Sequence, residues 1–140
     1  MPITFVPVSV PDAATYTVKE DDSGLVHLMP NLTATCTITL PTLRAGLEYE
    51  FVYNGAAADA QNWVFDTTSD SIFFAGGVTF SDLDGDVQAP VYADGDSNSK
   101  ITIVTPEVGT SLKFYVPGGA ANWVVQGTVC SATTPTIADQ

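Results

Sequence analysis

A strict alternation of side chains over residues 32–40 constrains the fold of this chain more than any other feature. Apolar residues occupy every second position, and the positions between them hold Thr33, Thr35, Thr37 and Thr39. Successive side chains of a β-strand point to opposite faces, so this pattern predicts a strand with one buried face and one hydroxyl-bearing face. Pro41 ends the strand, because proline has no amide hydrogen to donate to a neighbouring strand.

Similar patterns recur along the chain. A second alternating run covers residues 47–53, and the other strand candidates are residues 3–10, 15–19, 25–29, 63–66, 72–74, 100–104, 112–116 and 123–129. Turn pairs such as Asn54-Gly55 and Asp94-Gly95 separate many of them, and no segment carries a sustained helical stripe. Short strands between turn residues predict an all-β fold, built as an antiparallel β-sandwich or a barrel-like domain.

An internal repeat suggests two similar halves. Without a gap, residues 36–49 align with residues 101–114, and after a shorter loop Asn62-Trp63-Val64 aligns with Asn122-Trp123-Val124. Each half would form three strands with one apolar face, and the two faces would bury each other. Convergence of unrelated strands on common β patterning is the alternative explanation.

Size and composition predict one folded domain. The chain has 140 residues, of which 45% are hydrophobic and 14% are charged, a balance too apolar for a disordered protein. We expect an extended N-terminal arm at residues 1–11, a single β-sandwich domain at 12–131 and a flexible C-terminal tail at 132–140. The acidic stretch at 81–99 predicts an exposed loop between the two halves.

The charge of the chain limits its partners. Sixteen acidic residues and four basic ones give a formal net charge of −12, which would repel nucleic acid and anionic membranes. No stretch approaches the roughly 20 apolar residues of a membrane helix, and the first residues lack the pattern of a signal peptide, so we expect folding in the cytoplasm. Cys36 and Cys130 are then best interpreted as small buried residues, with a disulfide as the alternative.

The acidic stretch contains one candidate metal site. Asp82, Asp84 and Asp86 alternate around Gly85, and carboxylates spaced in this way can converge on Ca²⁺. The pattern departs from a calcium-binding EF-hand loop, because the glycine precedes the third aspartate and no glutamate follows before Glu107. A solvated acidic loop that binds no cation is the alternative.

Residues that would support catalysis are sparse. His27 is the only histidine and lies in a short apolar strand, which favours a structural role. The sequence contains no nucleophile elbow, zinc-binding pair or phosphate-binding glycine loop, so we expect no enzymatic activity. A glycosidase acting through two carboxylates is the alternative. We predict that Trp63 and Trp123 pack in the core, with a sugar-stacking platform as the alternative.

Residues 35–51, followed by Asn62-Trp63-Val64 and closed by residues 122–127, resemble small structural proteins of tailed bacteriophages. In such proteins, a Thr-rich strand ending in Leu-Pro, a glycine before an aromatic strand and a terminal tryptophan-containing strand recur. They include capsid decoration (cement) proteins and head- or tail-fibre domains. The resemblance covers residues 24–131, and its motifs are short.

The resemblance implies a virion protein that assembles in the host cytoplasm, binds the major capsid protein from outside as a homotrimer and strengthens the shell. A fibre or receptor-binding domain, with carbohydrate as its ligand, is the alternative. The segment before Gly24 departs from the shared pattern. Its prolines suit an extended arm, and we predict that Ile3, Phe5 and Pro7 contact the capsid or a sister subunit.

Overall fold

The computed structural model describes residues 6–119 and 121–140. The strands of this part, in chain order, are β1 Val8–Ser9, β2 Thr15–Thr17, β3 Val26–Met29, β4 Cys36–Thr39, β5 Glu48–Tyr53, β6 Trp63–Asp66, β7 Phe74–Asp82, β8 Val87–Asp94, β9 Lys100–Ile103, β10 Ser111–Tyr115, β11 Trp123–Cys130 and β12 Thr136–Ala138. One 3₁₀ turn lies at Glu20–Asp22. No helix in the described residues is long and apolar enough to cross a membrane.

The strands form two sheets that bury their apolar faces against each other. The larger sheet has seven strands in the order β1-β3-β5-β10-β11-β7-β8, and the smaller has five in the order β12-β9-β6-β4-β2. One continuous hydrophobic core lies between them and draws side chains from both. The predicted all-β sandwich is therefore confirmed.

Both sheets are mixed, whereas the sequence predicted antiparallel pairing. Of the ten described strand pairings, five are parallel and five are antiparallel. Four of the five parallel pairings arise because the first six strands alternate between the sheets, with β1, β3 and β5 in the larger and β2, β4 and β6 in the smaller. A chain that crosses to the opposite sheet and returns runs in its original direction, so its neighbouring strands are parallel.

The predicted three-stranded halves do not form separate meanders. As the repeat suggests, β4 and β9 both lie in the smaller sheet, while β5 and β10 pair in the larger one. The third members diverge, because β6 lies in the smaller sheet and β11 in the larger. Each half therefore contributes strands to both sheets, and the aligned sequences describe similar strands in different surroundings.

Aromatic rings fill the space between the sheets. The Phe114 ring of β10 lies 4.7 Å from that of Phe65 on β6 and 5.6 Å from that of Phe74 on β7, measured between centroids. Trp63 and Trp123, the first residues of β6 and β11, are fully buried. The predicted core position of both tryptophans is confirmed, and neither presents a face to solvent for sugar stacking.

Both predicted terminal segments contribute strands to the sandwich. At the N-terminal end, β1 pairs with β3 and Val10 is buried, so the folded unit begins before residue 12. At the other end, β12 pairs with β9, and the side-chain amide of Gln140 donates hydrogen bonds to the carbonyl oxygens of Thr67 (3.1 Å) and Ser99 (3.0 Å). The segment predicted as a flexible tail is instead an anchored edge strand.

The acidic stretch at 81–99 is also more ordered than predicted. It holds the second strand of a hairpin, in which β7 and β8 pair from Ala75 opposite Asp94 to Asp82 opposite Val87. Its aspartates and Pro90 are atypical of strands, which is why the sequence predicts a loop. Pro90 is tolerated because β8 lies at the edge of the larger sheet and needs partners on one side only.

Candidate functional surfaces

The aspartates predicted as Ca²⁺ ligands lie at the turn of the β7–β8 hairpin. Asp82 ends β7, and its Oδ1 accepts hydrogen bonds from the backbone N–H groups of Asp84 (3.2 Å) and Gly85 (3.1 Å). Asp86 has a φ of 52°, a left-handed conformation that aspartate tolerates in turns. The carboxylate of Asp82 therefore stabilises the reversal of the chain.

The structure does not assemble these aspartates into a metal site. Within residues 6–119 and 121–140, no three His, Cys, Asp or Glu side chains are grouped so that they could hold an ion. The physical reason lies in the turn, where one carboxylate oxygen of Asp82 is used by backbone amides. Alternate spacing along the chain therefore does not make these carboxylates converge, and the Ca²⁺ prediction is not supported.

His27 lies in β3 and is fully buried. Its ring centroid is 6.3 Å from that of Tyr16, 5.9 Å from that of Tyr49 and 4.7 Å from that of Phe51. Its Nδ1 lies 3.2 Å from the carbonyl oxygen of Leu25, and its Nε2 has no hydrogen-bond partner among the residues that the structure describes. The imidazole is thus part of the aromatic core, in agreement with the structural role predicted for it.

We expect His27 to weaken the fold at acidic pH. Burial lowers the pKa of its imidazole, and the hydrogen bond to Leu25 and the charge of Asp22 offset only part of this shift. The unfolded chain, with a histidine pKa of about 6.5, therefore takes up a proton that the folded protein excludes. Stability contributed by the neutral ring is present above about pH 6.5 and is lost as the pH falls below it.

The variant His27→Phe tests this expectation, because it keeps an aromatic ring and removes the titration. Urea unfolding at several pH values between about 7.5 and 5 should show a smaller loss of stability for the variant than for the wild type. Tyr16→Phe is the matched control, since the pKa of Tyr16 is raised above its ordinary value by burial and the residue stays neutral in this range. Parallel pH profiles for His27→Phe and the wild type would contradict the expectation.

Asp59 is a buried acid that sequence reasoning did not single out. Its Oδ2 accepts a hydrogen bond from the backbone N–H of Leu32 (3.1 Å), and its Oδ1 accepts one from that of Gln61 (3.0 Å). The carboxylate therefore joins the loop before β4 to the loop before β6. The sequence around Asp59 is rich in alanine and does not indicate this role, because the hydrogen bond to Leu32 links segments that are far apart in sequence.

Two cysteines were predicted as buried residues, with a disulfide as the alternative. In the structure Cys36 and Cys130 are both buried and both free. Burial raises the pKa of each thiol, so both stay protonated at neutral pH. The prediction that both are small buried residues is confirmed.

The exposed apolar side chains are concentrated in few places. Among the described residues, the large hydrophobic ones that are more than half exposed are Val6 (78%), Leu83 (61%), Val87 (51%), Tyr92 (73%) and Val108 (54%). Three of these five belong to the β7–β8 hairpin, and Val6 lies two residues before β1. Exposed apolar groups grouped on a surface mark candidate sites of contact with other molecules.

Part of the predicted N-terminal contact surface can be placed. Pro7 is exposed beside Val6, just before β1. Within the described part of the chain, β1 is an edge strand that pairs with β3 alone. Ile3 and Phe5 lie outside the described residues. The chain therefore enters the sandwich along a sheet edge, with exposed apolar residues leading into it.

No protein-family profile matches the sequence, and a search of curated proteins returned no match. The described residues form no surface pocket. What they do provide are two exposed apolar surfaces, one where the chain enters β1 and one on the β7–β8 hairpin.

Proposed function

We propose that this chain is a non-enzymatic structural protein of a phage virion that binds the outside of the capsid and stabilises the shell. The observation that carries the proposal is the exposed apolar segment at Val6 and Pro7, which leads into an edge strand of a sandwich with a continuous core. Such a segment suits addition to a neighbouring sheet or groove. The resemblance of residues 24–131 to small structural proteins of tailed bacteriophages is the second support.

The charge of the chain agrees with a place outside the shell. With a net charge of −12, the protein would be repelled by the packaged genome and attracted to basic protein surfaces. We propose that it acts as a homotrimer on the major capsid protein. Sedimentation of the free protein tests the oligomeric state, and a strictly monomeric protein would count against it.

Cosedimentation with empty shells of the phage that encodes the chain tests the proposed function. We expect the wild-type protein to pellet with the shells, and a variant lacking residues 2–6 to stay in the supernatant. The deletion stops before β1 because Val10 is a core residue, so the thermal midpoint of the variant should match that of the wild type. A wild-type protein that never pellets would contradict the proposal.

A matched control separates loss of contact from a general surface effect. Val108→Ser changes an apolar side chain of comparable exposure in a different segment, so it should pellet as the wild type does. A deletion variant that binds as tightly as the wild type would contradict the role of the arm in binding. It would not contradict the proposal that the protein binds the capsid.

A receptor-binding fibre domain is the second candidate. It is favoured by Tyr92, an exposed aromatic residue of β8 that lies opposite Gly77 of β7, a residue without a side chain. An aromatic ring in such a position suits stacking on a sugar ring. Retardation of the protein in polysaccharide-containing native gels, lost in Tyr92→Ala, would favour this candidate over capsid decoration.

A further inference from the structure

We propose that the tip of the β7–β8 hairpin, residues 82–87, is a second capsid-binding surface, in which Leu83 and Val87 enter an apolar pocket rimmed by lysine or arginine residues. This inference rests on the proposed function, since it takes the capsid shell as the partner. The tip is distant in sequence from the N-terminal arm, and an apolar pocket with a basic rim is a more specific partner than the capsid as a whole.

The apolar side chains at the tip of the hairpin are exposed. Alternate residues of a strand share a face, so Val87, Val91 and Ala93 lie along the inner face of β8. Ala93 is buried in the core, Val91 is partly buried against it, and Val87 at the far end is half exposed. The apolar stripe of the hairpin therefore runs past the end of the sandwich, where a partner would continue the core.

Backbone hydrogen bonds stabilise the turn at the tip. The hydrogen bonds from Asp84 and Gly85 to Asp82 hold the turn in one conformation. A Cβ on Gly85 would lie 2.5 Å from Oδ2 of Asp82, so the carboxylate also packs closely on the glycine. A tip that is already ordered loses little conformational freedom when it binds, which favours binding through few side chains.

The surroundings of the two apolar side chains are acidic. Three aspartates flank Leu83 and Val87, and the sequence has no lysine or arginine between Arg44 and Lys100. Within residues 6–119 and 121–140, the ion pairs join Arg44 to Glu20 and Lys113 to Glu48. The acidic tip therefore has no ion pair within the described chain, and it complements a basic surface.

Charge also argues for the shell over a second copy of the chain. A second copy would carry the same net charge of −12 and only four basic residues, so its approach to the acidic tip would be unfavourable. A pocket whose rim is basic removes this cost and accepts the apolar side chains at its centre. Attraction of this kind weakens as salt concentration rises.

Cosedimentation with empty shells tests the apolar part. The double variant Leu83→Ser/Val87→Ser should bind the shells about tenfold more weakly or worse, as expected for the loss of central apolar contacts. Its thermal midpoint should stay at the wild-type value, because both side chains are exposed in the free protein. Val108→Ser, in a different segment, is the matched control and should bind as the wild type does.

A second pair of variants tests the charge. Asp84→Asn/Asp86→Asn should bind more weakly and lose much of the salt dependence of the wild type, and asparagine tolerates the left-handed φ at position 86. Asp70→Asn/Asp96→Asn removes two charges outside the tip and should change neither property.

The outcomes separate this inference from the proposed function. If the wild type pellets with the shells and the hairpin variants pellet equally well, the inference is overturned and the proposed function stands. If the wild type does not pellet, the proposed function fails and the inference fails with it. If Leu83→Ser/Val87→Ser instead dissociates an oligomer of the free protein, the tip is a contact between copies of the chain, and the inference is overturned.

Discussion

Replacing Phe114 with alanine is expected to lower the free energy of unfolding by about 3–5 kcal/mol. The side chain is fully buried, and its ring lies 5.9 Å from that of Phe51, 4.7 Å from that of Phe65 and 5.6 Å from that of Phe74. Phe65 belongs to the smaller sheet and the other rings to the larger one, so Phe114 joins the two sheets. Its removal leaves a cavity that two hydrogen-bonded sheets cannot close by local movement.

Urea unfolding followed by tryptophan fluorescence measures this loss directly, because Trp63 and Trp123 lie in the same core. Tyr92→Ala is the matched control, since it removes a similar ring that is 73% exposed and should change stability by no more than about 0.5 kcal/mol. A cost below about 1 kcal/mol for Phe114→Ala would contradict the proposed importance of the aromatic cluster.

The variant Gly127→Ala is expected to lower the free energy of unfolding by about 3 kcal/mol or more, or to prevent folding. Gly127 lies in β11 with a φ of 149°, and a Cβ there would overlap the carbonyl oxygen of Ser111 and lie 2.9 Å from the Cα of Leu112. Both contacts are with the backbone of β10, the neighbouring strand in the centre of the larger sheet. The strand cannot move away without breaking its hydrogen bonds to β11.

Two other glycines make the test quantitative. Gly46 has a φ of 89° but open space around its Cβ position, so Gly46→Ala should show only the backbone penalty of about 1–2 kcal/mol. Gly118 has open space and no such φ, so Gly118→Ala should be neutral or slightly stabilising. The expected order of destabilisation is Gly127, then Gly46, then Gly118. An equal cost at Gly127 and Gly46 would show that the backbone contact does not matter.

The positions of most strands follow from the sequence, and their arrangement does not. The alternation of apolar and polar side chains predicted β4, β5 and β6 within a few residues of their observed bounds. A strand with one buried face has an apolar residue at every second position. That period is the same for parallel and antiparallel neighbours, so it could not reveal that the chain alternates between sheets. The strands β8 and β12 were missed because an edge strand needs no continuous apolar pattern. The candidate at 72–74 reached only the first residue of β7, because the Gly76-Gly77 pair within that strand is typical of a turn.

The candidate surfaces were only partly accessible to sequence reasoning. The acidic residues at 82, 84 and 86 are visible in the sequence, but their use in the turn depends on the hairpin geometry. The exposure of Leu83 and Val87 agrees with the exposed loop predicted for residues 81–99, but the sequence does not place these residues at the end of an ordered hairpin. The inner face of β8 that begins at Val87 becomes buried only at Ala93.

The central position of β10 and β11 bears on how the protein is made. These strands lie between β5 and β7 in the larger sheet and span Ser111–Tyr115 and Trp123–Cys130. A ribosome must therefore synthesise most of the chain before β5 and β7 can be joined. Until then, both strands have unpaired backbone groups that can associate with other nascent chains. We expect the domain to acquire its structure late and in one cooperative step, at a rate limited by contacts between distant segments.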